Sequence, residues 1–512
     1  MADKLPSRSQ DFSEWYNQVV VHAELADYGP SRGSMIVRPY GYALWENIQA
    51  YIDRGFKKNG VRNAYFPLFI PESFIHKEAE HVEGFAPHLA IVTIAGGEEL
   101  QEKLIVRPTS ETIVNDSVKK WVKSYRDLPI LLNMWNSVVR WELRTKLFLR
   151  TSEFLWQEAH TSHATFEEAE EFTLRMLGVY RDFAENAAAV PSMAGRKSDS
   201  EKFAGAHTTY SLEALMSERR ALQSCTSHNL GDNFARGFGI QYLDPNNELK
   251  YVWRTSFGLS TRFAGAIIMV HGDDKGLVMP PRPAPMQIVI VPIWKSDDER
   301  ARVLSVAQNL RGALTENFRV ELDARAGITP GFTFNEWEMR GAPLRVEIGP
   351  KDIEKNQVVF ARRDTGEKSF VPQGEIVQRA GALLDAIHAQ MFARARKSMD
   401  DNTFRVDAWD DFKARTAGEG GAGFLLAHWC GDAKCEKQIQ EETRATIRVI
   451  PFDHAKEAGR CIKCGKASDG RVVFGKSYWY SRGGASVAPV YLPEKCSRWR
   501  MMNYASPENV LA

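Results

Sequence analysis

The sequence predicts a multidomain α/β fold, and three observations carry that expectation. The chain has 512 residues, enough for two to four domains that each bury a core. A Pro-rich run, "VMPPRPAP" at 278–285, separates two stretches of different periodicity. Beyond it, apolar runs of strand length alternate with longer stretches of helical period. Composition is ordinary for a soluble globular protein, with 44% hydrophobic and 26% charged residues. Lys plus Arg number 66 against 65 Asp plus Glu, so no global field gathers polyanions, and a nucleic-acid partner needs local patches. The N-terminal "MADKLPSRSQDFSEW" has no signal-like apolar run, and "IVIVPIW" is too short to span a bilayer. The expected compartment is a reducing cytoplasm, with no membrane partner.

Taken in order, residues 1–285 read as a mixed unit of long helices and hairpins. Trp45, Ile48, Ile52 and Phe56 recur at 3, 4 and 4 residues and predict an amphipathic helix stopped near Gly60. The following "NAYFPLFIP" reads as a strand whose two prolines place it at an edge or an interface. "RPTSET" (107–112) opens a helix, with Thr109 or Ser110 as N-cap and Glu111 in the first turn; by itself this is helix capping. Residues 286–398 run from the strand "MQIVIVPIW" through a helix bearing Val303, Val306, Leu310 and Leu314 to the strand "FRVELDAR". A short helix "TFNEWEMRG", the strands "LRVEIG" and "QVVFARR", and a long helix through Ile376, Ala380, Leu383, Ile387 and Met391 complete it. This alternation predicts a small domain with a largely parallel sheet. Residues 399–478 form a third unit, and 479–512 an extra tail that reads as a disordered appendage.

Between Val138 and His160 the run "VVRWELRTKLFLRTSEFLWQEAH" predicts two strands joined by a basic turn. Strand side chains alternate faces, so Arg140 and Glu142 share one face, and Phe154, Trp156, Glu158 and His160 share another. Charge mixed with aromatic bulk is costly inside a core unless it is paired. Two readings fit: satisfied ion pairs at a sheet edge, or a binding floor where Arg140 and Arg150 hold phosphate and Glu142 accepts from an amine. Further on, "LQSCTSHNLGDNF" (222–234) and "TSFGLSTRFAGAIIMVHGDDKGLVMPP" (255–281) combine small residues with few polar groups, among them the cation Arg262.

Four of the six cysteines fall in the third unit, as Cys430/Cys435 and Cys461/Cys464. Two close pairs 25 residues apart match a four-thiolate structural zinc site, which a reducing compartment favours over disulfides. Such a site holds the fold and performs no chemistry. Cys225 and Cys496 have no such partners and read as free thiols.

Together these stretches resemble the class II aminoacyl-tRNA synthetases. The match is nearest to the prolyl-tRNA synthetase family, class IIa, of the archaeal/eukaryal type with a C-terminal zinc-binding domain. "NGVRNAYFP" is similar to the first class motif, with Pro67 at the position that helps form a dimer interface. Arg140–His160 is similar to the second, and "SFGLSTRFAGA" to the third, while "RPTSET" and "WQEAH" point to proline. The resemblance covers residues 10–478. It implies an antiparallel-sheet catalytic core, an α/β anticodon-binding domain and a small zinc-containing α+β C-terminal domain, in a homodimer that joins L-proline to tRNA(Pro) using ATP with Mg²⁺.

Carried over by position, Arg140, Arg150 and Arg262 are the expected catalytic cations, all three at the nucleotide, where Glu142, Thr151, Gln223 and Thr226 also bind. Thr109, Glu111, Trp156, Glu158, His160 and, beside them, His228 are expected to hold proline, with Arg140 shared between the two substrates. Trp337, Glu338, Arg340, Arg345, Glu347 and Lys351 are the candidates for anticodon contacts. Cys225 stands where the family has Gly, Phe257 where it has Trp, and Ala159 where it has Gly. Chains of this type end at a tyrosine matching Tyr478, whereas this one continues for 34 residues, so no free carboxylate exists there. Rival readings are a synthetase for threonine, an adenylating ligase that ignores tRNA, and a catalytically impaired tRNA-binding or regulatory protein. "RPTSET" with "WQEAH" argues against the first, the appended anticodon-like domain against the second, and the retained Arg140, Glu142, Arg150 and Arg262 against the third.

Overall fold

The computed structural model describes residues 5–75, 89–142, 145–418, 420–452 and 456–478. The tail from 479 onward, with Cys496, lies outside the described residues. The helix expected from Trp45 to Phe56 is α1 (Pro39–Lys58), begun by Pro39 in its first turn; Trp45, Ile48, Ile52 and Phe56 are all buried. "NAYFPLFIP" divides, as its prolines require. Arg62–Asn63 pairs at the edge of the large sheet, and Phe69–Pro71 joins a separate three-stranded sheet with Ala90–Ala95 and Glu98–Val106.

Helix α2 (Glu111–Trp121) leads to strand β1 (Ile130–Val139), which turns back as β2 (Glu153–His163). Helix α3 (Phe166–Asp182) follows, then β3 (Ser192–Arg196), β4 (Thr208–Leu215), β5 (Ala221–Gly231), β6 (Trp253–Ser260) and α4 (Arg262–His271). Strands β3-β4-β5-β6-β2-β1 are antiparallel neighbours in that order. One face of this sheet is closed by α1 and α3. Phe56 lies 5.4 Å from Phe257 and 5.8 Å from Tyr180, and Trp45 lies 5.8 Å from Trp135. That packing dries one face and leaves the other free for chemistry.

The middle unit has β7 (Ile288–Pro292), α5 (Asp297–Thr315), β8 (Val320–Leu322), α6 (Pro330–Met339), β9 (Leu344–Ile348), β10 (Gln357–Arg362), β11 (Lys368–Pro372) and α7 (Ile376–Asp401). Its sheet order is β8-β7-β9-β10-β11. The expected largely parallel sheet is corrected here: β7 pairs parallel with β8 and β9, but β9–β10 and β10–β11 are antiparallel. The reason is length, since the links after β9 and β10 are too short for a crossover.

Helix α7 passes without a break through position 398 into the third unit. There β12 (Thr403–Arg405), α8 (Trp409–Thr416), β13 (Phe424–His428), α9 (Ala433–Thr443), β14 (Ala445–Pro451) and β15 (Arg471–Lys476) follow. These strands extend the large antiparallel sheet, because β14 pairs with β3 through Ile450↔Arg196 and Pro451↔Gly195. Among the described residues the continuous sheet has eleven strands. Gly195 permits the seam: a Cβ there would sit 2.3 Å from the Ile450 carbonyl oxygen. No helix among the described residues is long and apolar enough to cross a membrane.

Candidate active site

The open face of the sheet carries a cleft of about 290 Å³. Antiparallel register sets its floor: His160 opposes Ser256, Glu158 opposes Gly258, and Thr226 opposes Gly258 from the other side. Thr109, Glu111, Arg140, Trp156, Glu158, His160, Gln223, Thr226, His228 and Arg262 all border it. Residues 153 positions apart in sequence are thereby brought to one cavity.

Glu158 organises its acidic end. Its carboxylate accepts from the Ser110 backbone N–H at 3.1 Å, from Asn136 Nδ2 at 2.9 Å and from the Ser110 hydroxyl, and His160 Nε2 lies 3.3 Å away. Ser110 is the N-cap of α2, yet its hydroxyl does not cap that helix. Glu158 takes over the role from across the sheet, where a carboxylate also suits the helix dipole. Thr109 Oγ1 donates to Glu111, which is itself buried. Expected helix capping and expected substrate recognition are thus one network.

Arg140 follows directly after β1, and its Nε donates to the Pro108 carbonyl at 3.0 Å. Its guanidinium sits 5.3 Å from the Trp156 ring and 5.6 Å from that of Phe154. Burial lowers the Arg140 pKa, opposed by the charges of Glu111, Glu158 and Glu142. Arg262 begins α4 and donates from Nε to the Leu149 carbonyl at 3.2 Å. Burial, then the like charges of Arg140 and Arg150, lower it to about 10, so it stays a cation near neutrality. His228 is bonded to Thr209 Oγ1 at 2.9 Å, and burial drops it to about 4, so it is neutral at pH 7. The cleft-lining Trp156, His160 and Ser224 each keep a buried polar atom without a hydrogen-bond partner (Nε1, Nδ1 and Oγ). Buried unpaired polar atoms are costly, and a polar ligand relieves that cost.

Three predicted residues lie outside the cleft lining. Glu142 and Arg150 form an ion pair at 2.5 Å across the turn between β1 and β2. Thr151 is buried and spends its hydroxyl on the Glu153 carbonyl at 2.6 Å. The basic turn is tied to two distant segments: Lys146 Nζ donates to Ser13 Oγ and to the Tyr478 hydroxyl, each at 2.9 Å. Burial brings that lysine down to about 8. Cys225 borders the cleft, and burial pushes its thiol well up, with Tyr180 as an electrostatic neighbour. Sequence reasoning missed Asn136, Glu201, Phe203 and Thr209. Strand alternation from Val138 would have found Asn136, but Glu201 and Phe203 sit in an irregular loop and carried no signal.

Comparison with known proteins decides the family. A class II tRNA synthetase core domain model (G, H, P, S and T) matches residues 93–271. An anticodon binding domain model matches 287–382, and a prolyl-tRNA synthetase C-terminal model matches 409–478. The proline–tRNA ligase of Chlorobium luteolum is 52% identical over 487 residues, covering 93% of this chain and all of that protein. Those of Natranaerobius thermophilus (51% over 477 residues, 93% and 98% covered) and Amoebophilus asiaticus (48% over 493, 93% and 100%) are similar along the same span. The chain belongs to the proline–tRNA ligase family. Within that family's C-terminal region, Cys430, Cys435, Cys461 and Cys464 bring their sulfurs within 4.8 Å of one another. Cys435–Cys461 is 3.5 Å and Cys430–Cys464 is 3.6 Å. A disulfide needs about 2.05 Å, whereas four sulfurs about 2.3 Å from one zinc lie roughly 3.8 Å apart. The donor set fits zinc.

Proposed function

We propose that the chain ligates L-proline to tRNA(Pro) with MgATP through a prolyl-adenylate. The observation that carries this reading is one cleft joining the buried carboxylates Glu111 and Glu158 to the guanidiniums Arg140 and Arg262. A carboxylate pair suits the secondary ammonium, aromatic walls at Phe154, Trp156 and Phe203 suit the ring, and the guanidiniums suit phosphate. Gln223 and Thr226 complete the nucleotide side. Glu142, Arg150 and Thr151 belong to it through the turn that Lys146 anchors; binding then exchanges the Glu142–Arg150 pair for nucleotide contacts.

In the first step the proline carboxylate attacks the α-phosphorus, a P–O bond forms, and the bond to the β-phosphate oxygen breaks to release pyrophosphate. The attacking oxygen is already an anion, so no protein base is required. Charge on the phosphoryl oxygens is what Arg140, Arg150 and Arg262 stabilise. A terminal ribose hydroxyl of tRNA then takes the prolyl group and AMP leaves. Residues 164–252, between the second and third motifs, are filled by α3, β3 to β5, a short helix Asn233–Phe238 and a small hairpin of Gln241–Leu243 with Leu249–Tyr251. They hold no inserted domain, so the reading assigns deacylation of alanyl-tRNA to another protein.

The proposed domain division is 1–285 catalytic, 286–398 anticodon-binding and 399–478 zinc-binding. The four cysteines would hold the zinc, which supplies folding energy. The archaeal/eukaryal subtype is proposed from the C-terminal region with its four-cysteine cluster, and the cytoplasm from thiols that must stay reduced to bind metal. A homodimer is proposed through the first-motif face, where Pro67, Tyr65 (78% exposed) and Phe69 (46%) are exposed, as are Ile91 (46%) and Ile94 (58%) in the three-stranded sheet that Phe69 joins. ATP–pyrophosphate exchange with proline, alanine, cysteine and threonine, run side by side, tests the assignment. Proline is expected to lead by more than tenfold, because ring contacts discriminate by about 1–3 kcal/mol per methylene. Exchange led by any of the others would overturn it.

A further inference from the structure

The wall of the cleft that the sequence did not disclose is the irregular connection Lys197–His207 between β3 and β4. It contributes Glu201 and Phe203 to the lining. Phe203 leans on the His228 ring at 4.8 Å, and its N–H donates to the same Thr209 hydroxyl that meets His228. What stands behind this loop is the C-terminal unit. The Ser198 hydroxyl donates to Glu436 Oε1 at 2.6 Å, a buried bond spanning 238 positions. Glu436 is on α9, directly after the cluster cysteine Cys435.

Beneath the loop, Glu213 on β4 is fully buried between two cations. Lys197 Nζ meets its Oε1 at 2.8 Å, and Arg448 of β14 donates to Oε2 from Nε at 3.0 Å and Nη2 at 2.8 Å. A second cavity, of about 350 Å³, is lined by Ser200 and Glu201 on one side and by Ala433, Glu436 and Lys437 on the other. Glu201 therefore borders both cavities, and the loop is a partition between the cleft and helix α9.

We propose that Glu436 of the C-terminal unit is a positioning residue for the proline pocket. Through Ser198 it holds the Lys197–His207 partition so that Phe203 and Glu201 close on the imino-acid ring. The inference rests on the proline reading of the cleft. It explains why the cysteine-bearing unit is built into the catalytic sheet: its helix is the backing of a substrate wall. Glu436 itself does not line the cleft.

The test is ATP–pyrophosphate exchange by the full chain as wild type, Ser198→Ala, Glu436→Ala and Glu436→Gln, with melting temperature and bound zinc measured on each. Loss of one buried hydrogen bond is expected to raise the proline KM about five- to tenfold and lower proline-over-alanine discrimination comparably. The ATP KM stays unchanged, and Glu436→Gln, which keeps an acceptor for Ser198, returns both values to near wild type. Pairing Ser198→Ala with Glu436→Ala should add no further loss, because the two remove the same bond. Folded, zinc-bearing variants with wild-type proline KM and discrimination overturn the proposal, as does an equal rise in both substrates' KM. Wild-type protein without proline-dependent exchange would overturn the proline reading beneath it.

Discussion

Arg140 is held from several directions before any ligand arrives: the Pro108 carbonyl takes its Nε, and Trp156 and Phe154 flank its guanidinium. A cation fixed in this way needs little rearrangement as charge develops on phosphorus, which is the basis of electrostatic catalysis. Arg140→Ala is expected to slow pyrophosphate exchange by about 10²–10³, the usual loss for one such donor. Retention of the wild-type rate would remove Arg140 from the chemistry. Glu158 is read differently now that its partners are known. With Ser110, Asn136 and His160 around it, its first task is to fix the start of α2, and that places Glu111. Its place in the cleft was legible in "WQEAH"; its partners were not, because Ser110 and Asn136 reach it only through the tertiary fold.

At the level of elements, β2 carries Phe154, Trp156, Glu158 and His160 at alternate positions on one face, as expected. The shared strand face expected for Arg140 and Glu142 is corrected: β1 ends at Val139, and beyond it Arg140 borders the cleft while Glu142 does not. On the β2 side of the connection, Lys146 is bonded to Ser13 and Tyr478. In the middle unit several of the anticodon candidates are closely paired. Arg345 bonds Glu347 at 3.0 Å and lies 4.0 Å from the Phe334 ring, Lys368 also reaches Glu347, and Arg340 is bonded to Glu24. Such pairs are exchangeable, and an Arg plane already stacked on an aromatic ring presents a flat surface to an unpaired base. Arg345→Ala is expected to raise the KM for tRNA several-fold while leaving ATP–pyrophosphate exchange intact. An unchanged tRNA KM would exclude it from the anticodon surface.

Across the whole molecule, three buried histidines tie stability to pH. Burial is the first cause at each, lowering His163 to about 3, His228 to about 4 and His271 to about 3. Their folded values lie below the ordinary 6.5, so the unfolded chain takes up protons first as pH falls. Their stabilising share is complete above about pH 6.5 and is lost as pH falls from there to their folded values of about 3 to 4, at about 3 kcal/mol per histidine. Denaturant titrations from pH 7 to 4 should flatten in a His163→Gln/His271→Gln variant; an unaltered slope would contradict the assignment. What the sequence by itself determined was local: helix α1 from its periodicity, the strand pattern of the second motif, the cysteine spacing and the ordered motifs that named a family. Those signals rest on neighbours in the chain, which period and spacing encode. Tertiary structure alone decided that β14 joins the catalytic sheet beside β3, that the middle sheet is half antiparallel, and that Glu201 and Phe203 wall the cleft. Each of these depends on residues far apart in sequence, and one-dimensional order does not record which edges meet.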